Sequence, residues 1–177
     1  CGSDPAETRY TIGGFSIVLA LLCGLVCHAA DAAPSPTCAA AARAAELRHG
    51  LPPGLLAAIA LTESGREESP GEERTAWPWT VTAGGHGKFF PSSEAAREEV
   101  ESLLGQGVRS IDVGCMQINL RHHPQAFADL GEAFSPGANA DYAARFLKEL
   151  YAETGDWTEA VGRYHSSSPD RKQAYAA

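Results

Sequence analysis

The chain predicts a mainly α domain carrying one small β-hairpin, and three observations lead there. Two long stretches place apolar residues at helical spacing between capping signals: 93–106 has Ala95, Ala96, Val100, Leu103 and Leu104, and 141–154 has Tyr142, Phe146, Leu147, Leu150 and Tyr151. A third stretch, Leu55 to Leu61, is apolar almost all round, the pattern of a helix buried on most faces. Only one segment reads as a strand pair: Trp77–Thr82 and Lys88–Phe90 flank the glycine-rich turn Ala83-Gly84-Gly85-His86-Gly87.

Each element has its own local reason. Cys38–His49 is alanine-rich, is preceded by Thr37 as an N-cap and is followed by Gly50 as a C-cap, so it reads as the first helix. Pro52 and Pro53 stand where the next helix starts, since proline is tolerated in a first turn. Glu63 is the polar exception near the end of that apolar run. Arg66–Arg74 is charged and contains Gly and Pro, and reads as a solvated surface loop. Trp77, Trp79 and Phe89 either seal the core or offer a stacking wall to a ligand. The helix over 93–106 opens at Pro91-Ser92-Ser93 and closes at Gly107. The helix over 141–154 stops at Gly155, with Asn139 ahead of it, and Asp156 with Glu159 resembles a capping box for a last helix.

The first residue is Cys1, so nothing is rested on residues 1–10. Thr11–Val26 is apolar and uncharged, with Arg9 before it and small residues after it; Ala30 and Ala32 fit an A-x-A cleavage site. Residues 1–33 are therefore expected to be a secretory signal peptide, 34–37 a short extended linker, and 38–177 the folded domain. At roughly 16 residues the apolar run falls short of the ~20 that span a bilayer. Neither Leu22 before Cys23 nor Val26 before Cys27 is the small residue that lipid attachment needs. Removing the leader leaves two of five cysteines, Cys38 and Cys115. An even pair in an oxidising compartment suggests a disulfide, two separate buried thiols being the alternative. A net charge of −8 with no basic stripe argues against nucleic-acid binding. Two cysteines alone make no tetrahedral zinc site and His122-His123 lacks ligand spacing, so no metal and no cofactor is expected.

Chemistry concentrates in four segments taken in order: Glu63-Ser64-Gly65, Gly114-Cys115-Met116-Gln117-Ile118-Asn119, Asn139, and Ala160-Val161-Gly162-Arg163-Tyr164. A carboxyl group on the last turn of a mostly buried helix suits a general acid, because desolvation disfavours the ionised form. Together the four segments resemble the ordered motifs of the lytic transglycosylase catalytic domain, over about 38–167. Cys115 stands where that family usually has an apolar residue, and His165 where it usually has Asn.

The resemblance implies a goose-type, lysozyme-like α+β fold and cleavage of peptidoglycan glycan strands in the bacterial periplasm. It implies Glu63 as acid and then base, and Tyr164 within reach to orient it. Ser64 and the backbone around Met116 and Gln117 would line the cleft. Gln117 and Asn119 would bond either acetamido groups or the loop holding Glu63, and Asn139 would bind substrate or only cap a helix. Asp112 is the best candidate for a second carboxylate, but the family pattern carries none there, and it equally suits the cap of a short helix over Met116–Asn119. Size and family imply a monomer that serves a secretion system, flagellum or pilus. The rival readings are a hydrolytic lysozyme using the same Glu63 and a non-catalytic peptidoglycan-binding module.

Overall fold

A computed structural model describes residues 37–166; the expected signal peptide, the linker before Thr37 and the chain after 166 lie outside the described residues. Among the described residues there are six helices, α1 Cys38–His49, α2 Leu55–Ser64, α3 Ser93–Gly105, α4 Leu130–Ala133, α5 Pro136–Thr154 and α6 Trp157–Ser166. Six short strands accompany them: β1 Gly65–Arg66, β2 Thr75–Ala76, β3 Thr80–Ala83, β4 His86–Phe89, β5 Ile111–Val113 and β6 Ile118–Asn119. This is the mixed α and β architecture expected. No described helix is long and apolar enough to cross a membrane.

The helix ends follow local chemistry. Thr37 Oγ1 accepts from Ala40 N at 3.2 Å, Ser92 Oγ accepts from Ala95 N at 3.3 Å, and Asp156 Oδ1 accepts from Glu159 N at 2.8 Å. Each satisfies an amide that has no partner inside its own helix. Gly50 and Gly155 close α1 and α5 in the left-handed region.

The strands form two antiparallel sheets, β1 with β2, and a second in the order β4-β3-β5-β6. In the larger sheet Val81 faces Val113, Thr82 faces Asp112, and Asp112 in turn faces Asn119. One core lies among α1, α2, α5 and α6 around Leu56, Ile59, Cys115, Met116 and Leu147. A second lies under the sheet, where Val81, Val113, Val100 and Phe134 meet. The segment 112–119 runs from one core to the other. Cys38 and Cys115 are joined in a disulfide with Cα atoms 5.5 Å apart, which ties α1 to that segment.

Four expectations need correction. The hairpin strands are Thr80–Ala83 and His86–Phe89, so Trp77 and Trp79 precede it, and it belongs to a larger sheet whose other strands are too short to show alternation. No short helix spans Met116–Asn119: Asp112 lies on β5 and Asn119 on β6, paired with each other, so Asp112 caps no helix there. The last long helix begins at Pro136, five residues early, because Pro136 takes a first-turn position where its missing N–H is not needed. Asn139 therefore lies inside the first turns of α5 rather than ahead of it. Finally, α2 is not buried on most faces, since Ala58, Leu61 and Thr62 are exposed along one side.

Candidate active site

The site begins with how α2 is held. Glu46, from α1, is 4% exposed and accepts from the amides of Gly54 at 2.9 Å, Leu56 at 2.7 Å and Ala57 at 3.0 Å. A buried carboxylate thus caps the amino end of α2, where helix amides and dipole favour an anion. At the other end of the same helix stands Glu63, whose side chain is 3% exposed. Gly65 follows, and a Cβ there would overlap the Leu61 carbonyl oxygen, so the chain can leave α2 this tightly only as glycine.

The segment 112–119 packs against this end of α2. Ser64 Oγ lies 2.8 Å from the Cys115 carbonyl and 3.1 Å from the Ala60 carbonyl, sharing one proton between two acceptors. Gly114 has φ 80°, and a Cβ there would overlap the Asn139 amide. That amide is fully buried: its oxygen accepts from Met116 N at 2.8 Å, and its nitrogen donates to Val113 O at 3.1 Å and Ala133 O at 3.0 Å.

Gln117 adopts φ 49°, a left-handed conformation that costs on the order of 1 kcal/mol outside glycine. Its side chain offsets that cost, donating to Thr80 O at 3.1 Å and Gly114 O at 2.9 Å and accepting from Thr82 Oγ1 at 2.6 Å. Asn119 donates to Asp112 Oδ1 at 2.8 Å and Ser110 Oγ at 3.1 Å, while its oxygen accepts from the amides of Arg121 and His122. Asp112 is 2% exposed. From α6, the Tyr164 hydroxyl donates to Met116 O at 2.9 Å.

Glu63, Gln117, Ile118, Asn119, His123, Phe146 and Tyr164 line one small pocket. Burial, followed by the neighbouring charge of His122, pushes the His123 imidazole below its ordinary pKa. Its Nδ1 lies 2.8 Å from the Tyr142 hydroxyl. The contact that sequence reasoning missed is on α6, where His165 Nδ1 lies 2.8 Å from Glu63 Oε1. Its sequence signal was the departure from the family's Asn at that position. A second, larger groove borders the exposed side of α2, lined in part by Ala58, Leu61, Trp77 and Trp79. There the Arg66 guanidinium stacks on Trp77 at 3.4 Å.

Glu63 thus places a buried carboxyl at a helix end, facing a pocket framed by the amides of Gln117 and Asn119. Among the described residues no group of three or more His, Cys, Asp or Glu is placed to hold an ion. The description Transglycosylase SLT domain matches residues 40–176. The chain belongs to this family. No curated protein and no solved structure matches it. Transglycosylase SLT domains are lytic transglycosylases, so this protein is an enzyme of peptidoglycan, a polymer that lies outside the cytoplasm. Of the residues expected to serve the reaction, Glu63, Gln117, Asn119 and Tyr164 share one pocket. Ser64, Met116 and Asn139 brace it from behind.

Proposed function

We propose that the protein cleaves the β-1,4 bond between N-acetylmuramic acid and N-acetylglucosamine without water, leaving a 1,6-anhydromuramoyl end, with Glu63 as the catalytic residue. The observation that carries this reading is the Glu63 carboxyl, 3% exposed at the end of α2 and lining a pocket with Gln117, Asn119 and Tyr164. Glu63 gives its proton to the bridging oxygen while the muramoyl N-acetyl oxygen stabilises the cationic centre at C1. The resulting carboxylate then takes the proton of the same sugar's C6 hydroxyl as that oxygen closes on C1. One proton leaves and one returns, so Glu63 ends as it began.

The surroundings of Asp112 favour this single-carboxylate route. A second carboxylate would need to face the sugar, whereas Asp112 is buried on β5 and bonded to Asn119. Tyr164 anchors α6 to the Met116 carbonyl and thereby fixes the wall beside Glu63. In this reading Ser64, Met116, Gln117, Asn119 and Asn139 serve substrate binding by holding the cleft wall in shape, because their polar atoms engage the protein itself. The leader pattern at 11–33 supports export to the periplasm, where the protein works as a monomer opening the wall locally for an envelope machine such as a secretion system, flagellum or pilus.

The test is binding against cleavage. Glu63→Gln is expected to sediment with purified sacculi as the native protein does while releasing no soluble fragments. Full release by this variant would remove Glu63 from the reaction, and a native protein that binds and never cleaves would favour a binding module.

A further inference from the structure

We propose that His165 is a positioning residue for Glu63, holding one carboxyl oxygen so that the other carries the proton exchanged with the substrate. The inference rests on the reading of Glu63 as the acid and base. It starts from the 2.8 Å contact between His165 Nδ1 and Glu63 Oε1, made by a ring one third exposed to a carboxyl almost fully buried. The two residues come from different helices, α6 and α2, so the contact depends on how those helices are docked. Their docking is fixed on the α6 side by Tyr164, the residue before His165, whose hydroxyl is bonded to Met116 O at 2.9 Å.

The chemistry follows from the number of oxygens. A glutamic acid that must first give and then accept one proton needs a defined oxygen at the substrate in both halves of the reaction, and free rotation about its last bond would exchange the two. A ring carrying a proton on Nδ1 donates to Oε1 of the acid and to Oε1 of the carboxylate alike. The acid's own proton is thereby kept for the second oxygen. His165 gains and loses no proton over the cycle.

The other titratable groups lining this pocket are His123, on the segment after β6, and Tyr164. Burial holds the His123 imidazole below its ordinary pKa, which favours its uncharged form. Arg163, on the same helix as His165, is engaged by Glu159 at 2.7 Å and Glu153 at 3.4 Å.

The test compares the native protein with His165→Ala, His165→Asn and Glu63→Gln on purified sacculi, measuring kcat and KM. His165→Ala is expected to lose about tenfold in kcat with KM within about twofold, as mispositioning of one reacting group requires. His165→Asn, which keeps an N–H donor, is expected to regain most of that loss. Native kcat in His165→Ala, or a His165→Asn as slow as His165→Ala, overturns the proposal. If Glu63→Gln cleaves normally, the reading of Glu63 itself fails. If Glu63→Gln is silent while His165→Ala matches the native enzyme, only the role of His165 is lost.

Discussion

Replacing Glu46 tests whether the helix that carries Glu63 is held from its far end. Its carboxylate receives three amides, from Gly54, Leu56 and Ala57, at 2.7 to 3.0 Å, in a site that is 4% exposed. Hydrogen bonds to a charged group contribute about 1.5–3 kcal/mol each, but bonds sharing one acceptor group do not add. Loss of a helix cap costs about 0.5–2 kcal/mol, and loss of a favourable charge at a partly buried helix end costs up to about 2 kcal/mol. Glu46→Ala is therefore expected to destabilise the protein by about 3 kcal/mol. At roughly 3 °C per kcal/mol for a domain of this size, the melting midpoint should fall by about 10 °C. Glu46→Gln keeps one acceptor oxygen and loses the charge, and should cost about half as much. Thermal melts followed by circular dichroism, with urea unfolding to obtain the free energy, measure both. A Glu46→Ala protein within about 0.5 kcal/mol of native would refute the claim that this carboxylate anchors α2.

Two further perturbations act away from the pocket. Opening the disulfide by the double change Cys38→Ser and Cys115→Ser frees residues 77 apart in sequence, and the chain-entropy model gives a loss on the order of 4 kcal/mol, to be read by urea unfolding against the oxidised native protein. Asp141 joins α5 to α1 through Arg48 and His49. Burial works against its ionisation, yet hydrogen bonds from His49 and Arg48 outweigh it and hold the carboxyl below its ordinary pKa. A carboxyl that holds its proton less tightly when folded contributes stability above the unfolded value of about 3.9, and this is lost as pH falls through the folded value. Asp141→Asn should therefore flatten the stability profile below about pH 4 and cost at most about 1 kcal/mol at neutral pH, solvent screening keeping the effect small. An unchanged acid limb would remove Asp141 from that account.

The elements legible in the sequence are those whose signals are local. Thr37 and Gly50 bracket α1, Ser92 opens α3, Gly155 ends α5, and a Gly-Gly turn joins β3 to β4, because each rests on a few adjacent residues. Glu63 and Tyr164 stand out in the sequence because they sit in ordered motifs, and both line the same pocket. What sequence did not carry is pairing over distance. β1, β2, β5 and β6 have two or three residues each, too few for a period of two to register, and they exist because the sheet and α2 present partners. Glu46 looked like one more polar residue on an alanine-rich helix, since nothing local announces that its partners are the amides of residues 54–57. The start of α5 was legible in Ser135-Pro136, which the apolar pattern beginning at Tyr142 outweighed. His165 was visible only as a departure from the family pattern, and its partner lies 102 positions away.

Mass spectrometry of the muropeptides released from purified sacculi by the native protein and by Glu63→Gln tests the central claim most directly. The account predicts products one water lighter than their hydrolytic counterparts, carrying 1,6-anhydromuramoyl ends, from the native protein and none from the variant. Reducing-end products from the native protein would contradict it: the enzyme would then be a hydrolase, and Asp112 would have to be reconsidered as the group that activates water.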